Sequence, residues 1–160
     1  MHPRRSIAIL LALACIGCGP KVDLSKGLQV TDVSTGWRDV GIVDGLNKIV
    51  PTVSFSLKNV SDQSLSALDV NVNFYQGSDD KMWADATAKD AGGSGGLAAG
   101  GTSKLLTFDS SKGYTGSETR AEMLQNSHFV DARVQIAAKY GNTQWVRIGE
   151  YPITRQLITK

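Results

Sequence analysis

The side chains able to do chemistry are few in this 160-residue chain. His128 follows Ser127 directly and stands three residues before Asp131, so the residue types of a hydrolytic triad occur close together. A triad is assembled from residues that meet in space after folding, and neighbours along a chain point in different directions. We therefore assign no catalytic residue and expect a non-enzymatic protein, with a hydrolase using His128 kept as an alternative.

Two further segments match binding motifs only in part. The glycine-rich segment 92–104 carries Gly101 where a phosphate-binding loop needs its lysine, and a strand pattern rather than a helix pattern follows it. It is expected to form a flexible hairpin connection. Asp79 and Asp80 are too few for a calcium site and lack the spacing of a calcium-binding loop, so we interpret them as a solvated hairpin tip. The sequence predicts no cofactor and no metal.

The three tryptophans are the better candidates for recognition, because exposed tryptophans often dominate interfaces. Trp145 alternates with Val146 along a strand pattern, which favours an outward position on the same side as Arg147. Core or edge packing is nevertheless the default for each of the three, Trp37, Trp83 and Trp145, and the sequence leaves open whether each lies in the core or at the surface. The candidate binding residues are Trp145, Arg147, Arg133 and Tyr114. If Trp145 is exposed, Arg133 and Arg147 on neighbouring strand faces are expected to surround it.

The amino terminus has the pattern of an export signal. Arg4 and Arg5 precede an uncharged apolar run from 7 to 17. This run is shorter than the roughly 20 residues that a transmembrane helix needs. It is typical of a cleaved signal peptide, here residues 1–17.

The stretch LALACIGCGP, residues 11–20, resembles the lipobox of bacterial lipoproteins. That resemblance implies a diacylglycerol on the sulfur of Cys18, fatty acyl chains such as palmitate, and attachment to a membrane. Cys15 remains an alternative modified residue, and an ordinary secretory signal remains an alternative reading of the segment. Gly19 stands where the family's inner-membrane retention signal has aspartate, which favours the periplasmic face of the outer membrane.

The amino-acid composition limits the kinds of partner and of site that this protein can have. Without Arg4 and Arg5 the chain has 15 basic and 15 acidic side chains, and this balance argues against binding to nucleic acid. His128 would be the one histidine left and Cys18, its sulfur carrying lipid, the one cysteine. That inventory excludes a zinc site built from Cys and His clusters and a catalytic thiolate.

Period-two alternation of apolar and polar residues dominates the rest of the chain. It predicts strands over 53–59, 68–75, 130–140 and 143–151, with weaker candidates at 28–33, 40–43, 81–89 and 102–108. Gly141 and Asn142 predict the turn of a hairpin, and Asp44 and Gly45 predict another turn. Thr119 and Glu122 form a capping-box pattern that predicts the one short helix.

These elements predict an all-β, antiparallel sandwich of seven or eight strands in one domain, residues 28–160, after a lipidated terminus and polar spacer at 18–27. The segment SFSLKNVSDQSLSALDVNVNFYQGSDDK resembles the small immunoglobulin-like domains of bacterial envelope lipoproteins. The resemblance implies a scaffold and transfers no catalytic residue. The expected function is an envelope-anchored binding or accessory module for another envelope protein or a cell-wall component. A small-ligand carrier, with space left by Ala84, Ala86 and Ala88, is the third hypothesis.

Overall fold

The computed structural model describes residues 20–158, which form a mostly β protein with two short helices. The predicted signal peptide, Cys15 and Cys18 lie outside the described residues. The elements are α1 (Leu24–Gly27), β1 (Leu28–Val43), β2 (Leu46–Asn59), β3 (Leu68–Gln76), β4 (Met82–Ala88), β5 (Leu106–Asp109), β6 (Tyr114–Gly116), α2 (Arg120–Gln125), β7 (Ala132–Tyr140), β8 (Val146–Pro152) and β9 (Leu157–Ile158). Within this range no helix has the length and apolar character needed to span a bilayer.

The strands form two sheets. One has the order β5-β2-β1-β9, with β6 pairing further along β2, and the other has the order β4-β3-β7-β8. All pairs are antiparallel except β1 with β9, which is parallel. The prediction of seven or eight antiparallel strands and one helix therefore missed the three-residue β6, the parallel two-residue β9 and the helix α1. Such short elements leave too few residues for a period to emerge.

The inward faces of both sheets contribute to one hydrophobic core. On β3 the side chains of Val70, Val72 and Phe74 are fully buried, while Asn71 and Asn73 between them are half-buried. This is the alternation read from the sequence, and it arises because successive side chains of a strand point to opposite faces. The predicted capping box is also confirmed, since the Thr119 hydroxyl accepts from the backbone N–H of Glu122.

The two weak strand candidates at 28–33 and 40–43 belong to one strand, β1. Two register shifts, between Thr31 and Ser34 and between Asp39 and Gly41, interrupt its alternation and hide its continuity in the sequence. The turn to β2 is the predicted one. Asp44 and Gly45 both have positive φ, as a two-residue hairpin turn of the favoured type requires.

The strand β1 runs from one end of the molecule to the other, and 16 residues span up to about 50 Å. The end where the described chain starts is called the amino-terminal pole. It contains α1 and the β7–β8 turn, because the Val22 N–H donates to the Tyr140 hydroxyl at 2.6 Å. The opposite end is called the distal pole, and it contains the β1–β2 turn and α2.

The expected polar spacer differs from the structure. Residues 24–27 form α1, which is capped by the Asp23 side chain and packs Leu24, only 1% exposed, into the core. The N–H of Val60 donates to the carbonyl of Gly27 at 2.9 Å and fixes the end of this turn. A single buried leucine outweighs the polar character of its neighbours, so the folded unit begins before residue 28.

The glycine-rich segment is a crossover between sheets rather than a hairpin connection, because β4 and β5 belong to different sheets. It wraps around the fully buried Asn59. The Asn59 amide donates to the carbonyls of Gln63, Leu97 and Ala98 at 2.8, 2.9 and 3.1 Å. Its oxygen accepts from Ser61, so all its polar atoms are paired. The segment is thereby held against the body of the domain.

Candidate functional site

The distal pole exposes a group of apolar side chains on the β1–β2 hairpin. Val40, Ile42 and Leu46 are 39%, 71% and 39% exposed. Leu46 pairs with Val43 and Ile42 with Asn47, so Ile42 and Leu46 lie on opposite faces of the hairpin, and its end exposes apolar side chains on both faces. Exposed apolar groups of this kind can mark a contact surface. We call residues 40–46 the hairpin tip. Sequence reasoning identified its turn but not its apolar flanks, although the letters VGIVDGL carry that signal.

An aromatic cluster lies beneath this pole. Trp37 is fully buried, and its ring centroid is 4.7 Å from that of Phe129 and 5.6 Å from that of Tyr114. Trp83 adds a fourth ring, 5.5 Å from Tyr114. The indole N–H of Trp37 has no hydrogen-bond partner within residues 20–158. The cluster joins both sheets, because Trp37 comes from β1 and Trp83 from β4.

A small cleft of about 150 Å³ opens beside the cluster. It lies between β6, α2 and the segment that leads into β7. Its apolar walls are rings and a thioether, and its polar groups are a carboxylate, an amide, a hydroxyl and an imidazole. The lining residues are Tyr114, Thr115, Glu118, Met123, Asn126, His128 and Phe129.

The capping box holds α2 against this cleft. Glu122 reaches back to accept from the N–H and the hydroxyl of Thr119 at 2.9 and 2.7 Å. The hydrogen bond from the Thr119 hydroxyl, followed by that from its backbone N–H, lowers the pKa of Glu122. Met123 and Leu124 then face the core, and Met123 forms part of the cleft wall. The helix therefore closes this end of the domain while leaving one side of the cleft open.

His128 shares the cleft with Glu118, but the two are not joined. The His128 side chain is exposed, and only its backbone N–H has a hydrogen bond among the described residues, to the Asn126 side chain at 2.9 Å. Tyr114 uses its hydroxyl elsewhere, donating to the Val130 carbonyl at 3.0 Å. A general base must come within about 3 Å of the proton that it takes. The cleft is concave, as a catalytic site would be, but its groups are not arranged as a relay.

Arg155 fastens the other side of α2. Its guanidinium donates to the Asp131 carboxylate at 2.6 Å and to the carbonyl of Phe129 at 3.0 Å, and lies 5.1 Å from the Phe129 ring centre. The hydrogen bond that Arg155 donates to the Asp131 carboxylate raises the pKa of Arg155. A shallow hollow of about 530 Å³ lies between this arginine and α2. The ion pair holds Phe129 in place and so supports the wall of the cleft.

The four predicted binding residues do not form one surface. Trp145 is 44% exposed at the amino-terminal pole, and the cation over its ring is Lys139, 5.2 Å from the ring centre. Arg147 is paired instead with Glu150 at 3.2 Å. The predicted surround of Trp145 by Arg133 and Arg147 is therefore not the one that the structure has.

Arg133 and Tyr114 lie toward the distal pole. The Arg133 guanidinium sits 4.2 Å from the Tyr75 ring centre and forms ion pairs with Asp80 and Glu150 at 3.3 and 3.6 Å. Tyr114 lies on β6 of the other sheet and belongs to the aromatic cluster. Strand register decides this separation, because Arg133 pairs with Pro152 whereas Ala138 pairs with Val146 at the opposite end of β7. The alternation along a strand predicts which side chains face outward, but it does not predict which outward side chains are neighbours.

The remaining motif candidates lie apart from one another. The segment 92–96 also fits the spacing Gly-x-Ser-x-Gly that some hydrolases have around a nucleophilic serine. Ser94 is exposed in a loop at the amino-terminal pole, whereas His128 lies at the distal pole. Asp79 and Asp80 lie on the exposed β3–β4 turn, as predicted. Within residues 20–158 no three His, Cys, Asp or Glu residues group in a way that would hold a metal ion.

The alanines of the carrier hypothesis pack on β4. Ala84 is buried at 7% exposure, and Ala86 and Ala88 lie partly buried against the core. Small residues on an edge strand allow the two sheets to approach closely. Close packing of the sheets therefore explains why these three residues are small.

Comparison with solved structures gives distant similarities. No family model matches the chain, and no curated protein matches it. The X-ray structure of a Northeast Structural Genomics Consortium target covers 81% of this chain and 88% of its own, with 10% identity and a TM-score of 0.45. The solution structure of an Arabidopsis thaliana protein covers 83% of each chain, with 14% identity and a TM-score of 0.42. Similarities of this size assign no family to the chain.

Proposed function

We propose that this protein is a lipid-anchored lipoprotein of the bacterial envelope that binds another envelope protein or a cell-wall component without catalysis. One observation supports this best: the chain joins the domain at the amino-terminal pole, while the exposed apolar hairpin tip lies at the distal pole. A domain tethered at one end of a long strand presents its other end to the surroundings. A rigid scaffold with a projecting contact element is typical of binding modules.

The proposed anchor is a diacylglycerol on Cys18, with further acyl chains such as palmitate. Two or more chains are needed for lasting attachment, because each buried methylene contributes about 0.8 kcal/mol. Cys15 remains the alternative site. Gly19 favours the periplasmic face of the outer membrane in this proposal, and the balanced charge argues against nucleic acid as a partner.

We infer further that the two sheets form an immunoglobulin-like sandwich. The support is the shared core and the neighbour order β4-β3-β7-β8 opposite β5-β2-β1-β9. The parallel β1–β9 pair is consistent with an added edge strand. The sandwich is the scaffold of the proposed module and carries no chemistry itself.

The anchor is tested by the mass of the mature amino terminus. The parent protein and a Cys15→Ser variant should both carry fatty acyl groups on residue 18 and should partition with membranes. A Cys18→Ser variant should lose the lipid mass and become extractable without detergent. An unmodified Cys18 in the parent, or unchanged membrane partitioning of the Cys18→Ser variant, would contradict the proposal.

The binding role is tested with a photo-crosslinking amino acid at position 43 of the hairpin tip in intact cells. We expect a discrete adduct with an envelope protein or with cell-wall material, and its loss when Ile42→Asp is added. Thr87→Asp is the matched control, because Thr87 is exposed on β4 of the other sheet. An adduct that persists unchanged in Ile42→Asp would show that the hairpin tip is not the contact surface.

A hydrolase of envelope polymers is the second candidate, since His128, Glu118 and Asn126 share one cleft. Its test is release of soluble fragments from purified cell wall by the protein. Under this hypothesis His128→Ala abolishes release, while Ala121→Ser on the outer side of α2 leaves it intact. If the parent releases no fragments, this candidate is discarded and the binding role is unaffected. The small-ligand carrier stays a prediction.

A further inference from the structure

The amino-terminal pole has an exposed tryptophan that the binding role does not use. Trp145 lies directly before β8, and α1 packs against β8 on the same side of the domain. The side chain is 44% exposed, although most large apolar residues of this pole are buried. An indole combines a large apolar ring with one N–H donor, which suits it to the boundary between lipid headgroups and acyl chains.

The chain between the proposed anchor and the folded domain is very short. Only three residues separate Cys18 from Val22, and the Val22 N–H is bonded to the Tyr140 hydroxyl at 2.6 Å. A fully extended chain covers at most about 3.6 Å per residue, so the two residues lie within about 14 Å of each other. With α1 folded instead of acting as a spacer, the domain has almost no freedom to leave the bilayer surface.

We propose that the amino-terminal pole rests on the bilayer that holds the anchor, with Trp145 inserted at the headgroup boundary. This inference depends on the proposed lipid anchor. The short tether raises the effective concentration of the indole at the surface to the millimolar range. Trp145 therefore occupies the interface even when its intrinsic affinity for lipid is weak.

Apolar insertion, and not net charge, drives this contact. Lys26 is exposed at this pole, but its ammonium lies 3.9 Å from the Asp23 carboxylate. Lys139, which lies over the indole, is also 3.7 Å from Asp69, and Lys89 is bonded to the same carboxylate at 2.8 Å. Since these three lysines already have carboxylate neighbours, they should add little dependence on the anionic lipid content. The orientation places the hairpin tip away from the membrane.

The test uses the lipidated full-length protein in phosphatidylcholine vesicles whose acyl chains carry bromine, a short-range quencher of tryptophan emission. Two variants each keep Trp37, which is fully buried. Trp83→Phe retains Trp145 at the amino-terminal pole, and Trp145→Phe retains Trp83 at the distal pole. We expect the Trp83→Phe variant to lose at least about a third of its emission in brominated vesicles, and the Trp145→Phe variant to lose almost none.

A longer tether provides the second arm of the test. Inserting about ten Gly-Ser residues between Gly19 and Pro20 gives a flexible linker and should weaken the quenching of Trp145. Equal quenching of both variants, or none of Trp145 when mass spectrometry confirms lipid on Cys18, overturns the inference and leaves the proposed function standing. Absence of lipid on Cys18 overturns both.

Discussion

The Tyr140 hydroxyl and the Val22 backbone amide are 2.6 Å apart, and this hydrogen bond joins the start of the described chain to the end of β7. The same hydroxyl lies 3.4 Å from the Val22 carbonyl, to which it donates. The two residues are 118 positions apart in sequence. This contact makes the segment before α1 part of the domain, and both the poles of the molecule and the short tether follow from it.

Tyr140→Phe should release this segment. The loss of a part-buried hydrogen bond should lower the free energy of unfolding by about 1 kcal/mol and speed amide exchange at Val22. Urea denaturation and hydrogen exchange measure the two effects. Tyr75→Phe is the control, because the Tyr75 hydroxyl has no hydrogen bond within residues 20–158. Exchange at Val22 that stays as slow as in the parent would show that other contacts hold the segment.

Gly96→Ala should destabilise the protein by about 1–3 kcal/mol. Gly96 has a φ of +76°, and an added Cβ would lie 2.7 Å from the carbonyl oxygen of Leu65. Gly95→Ala is the matched control, since nothing lies within 4 Å of a Cβ at that position. Thermal and urea unfolding of the two variants should differ clearly. Equal stability would mean that the segment around Gly96 adapts freely.

Asn59→Asp should be among the most destabilising single substitutions in the chain. It replaces an amide that donates to three carbonyls with a carboxylate that cannot donate, at a fully buried position. We expect a loss of about 3 kcal/mol or more near pH 7, with partial recovery in acid when the introduced group is neutral. Asn71→Asp, at a half-buried site on the outer face of β3, should cost much less in the same urea titrations.

Asp69 should contribute stability that depends on pH. The hydrogen bond from the Lys89 ammonium is the main cause that lowers the pKa of Asp69 below its ordinary value of 3.8, and the Asp90 N–H adds to it. The folded state therefore favours the charged form. This contribution is complete above the unfolded-state pKa and is lost as the pH falls through the lower folded-state value.

The measurement is the unfolding free energy of the parent and of Asp69→Asn between pH 7 and pH 2. The parent should be more stable at pH 7 by about 1 kcal/mol, and the difference should shrink below about pH 4. Asp85→Asn is the control, because Asp85 is exposed on β4 and has no ion pair within the described part of the chain. A difference that is constant over the whole pH range would exclude this role of Asp69.

Local sequence patterns predicted much of the secondary structure. The alternation along β3 and β7, the Asp44–Gly45 turn and the Thr119–Glu122 capping box each depend on residues close together in the chain. β1 was divided in two because its bulges break the period of two, the signal from which the strands were predicted. β9 was missed since two residues carry no period and its pairing with β1 is entirely long-range.

The candidate site was predicted less well because sequence position does not specify neighbours across strands. The sequence left open whether Trp145 lies in the core or at the surface; it is 44% exposed, and its cation is Lys139, the residue that the β7–β8 turn brings beside it. His128 and Glu118 come together only because α2 folds between them. The apolar residues beside the β1–β2 turn could be recognised as exposed only from the structure, in which β1 carries them beyond the core.

The sequence by itself determined the β class, the main strands, the turns and the capped helix, because these depend on interactions within a few residues along the chain. Only the tertiary structure decided which end of the domain the chain enters, which residues surround Trp145 and which groups share the cleft with His128. The first depends on a contact between residues 118 positions apart, and the other two on strand register and on how the chain folds around α2, none of which a local pattern encodes.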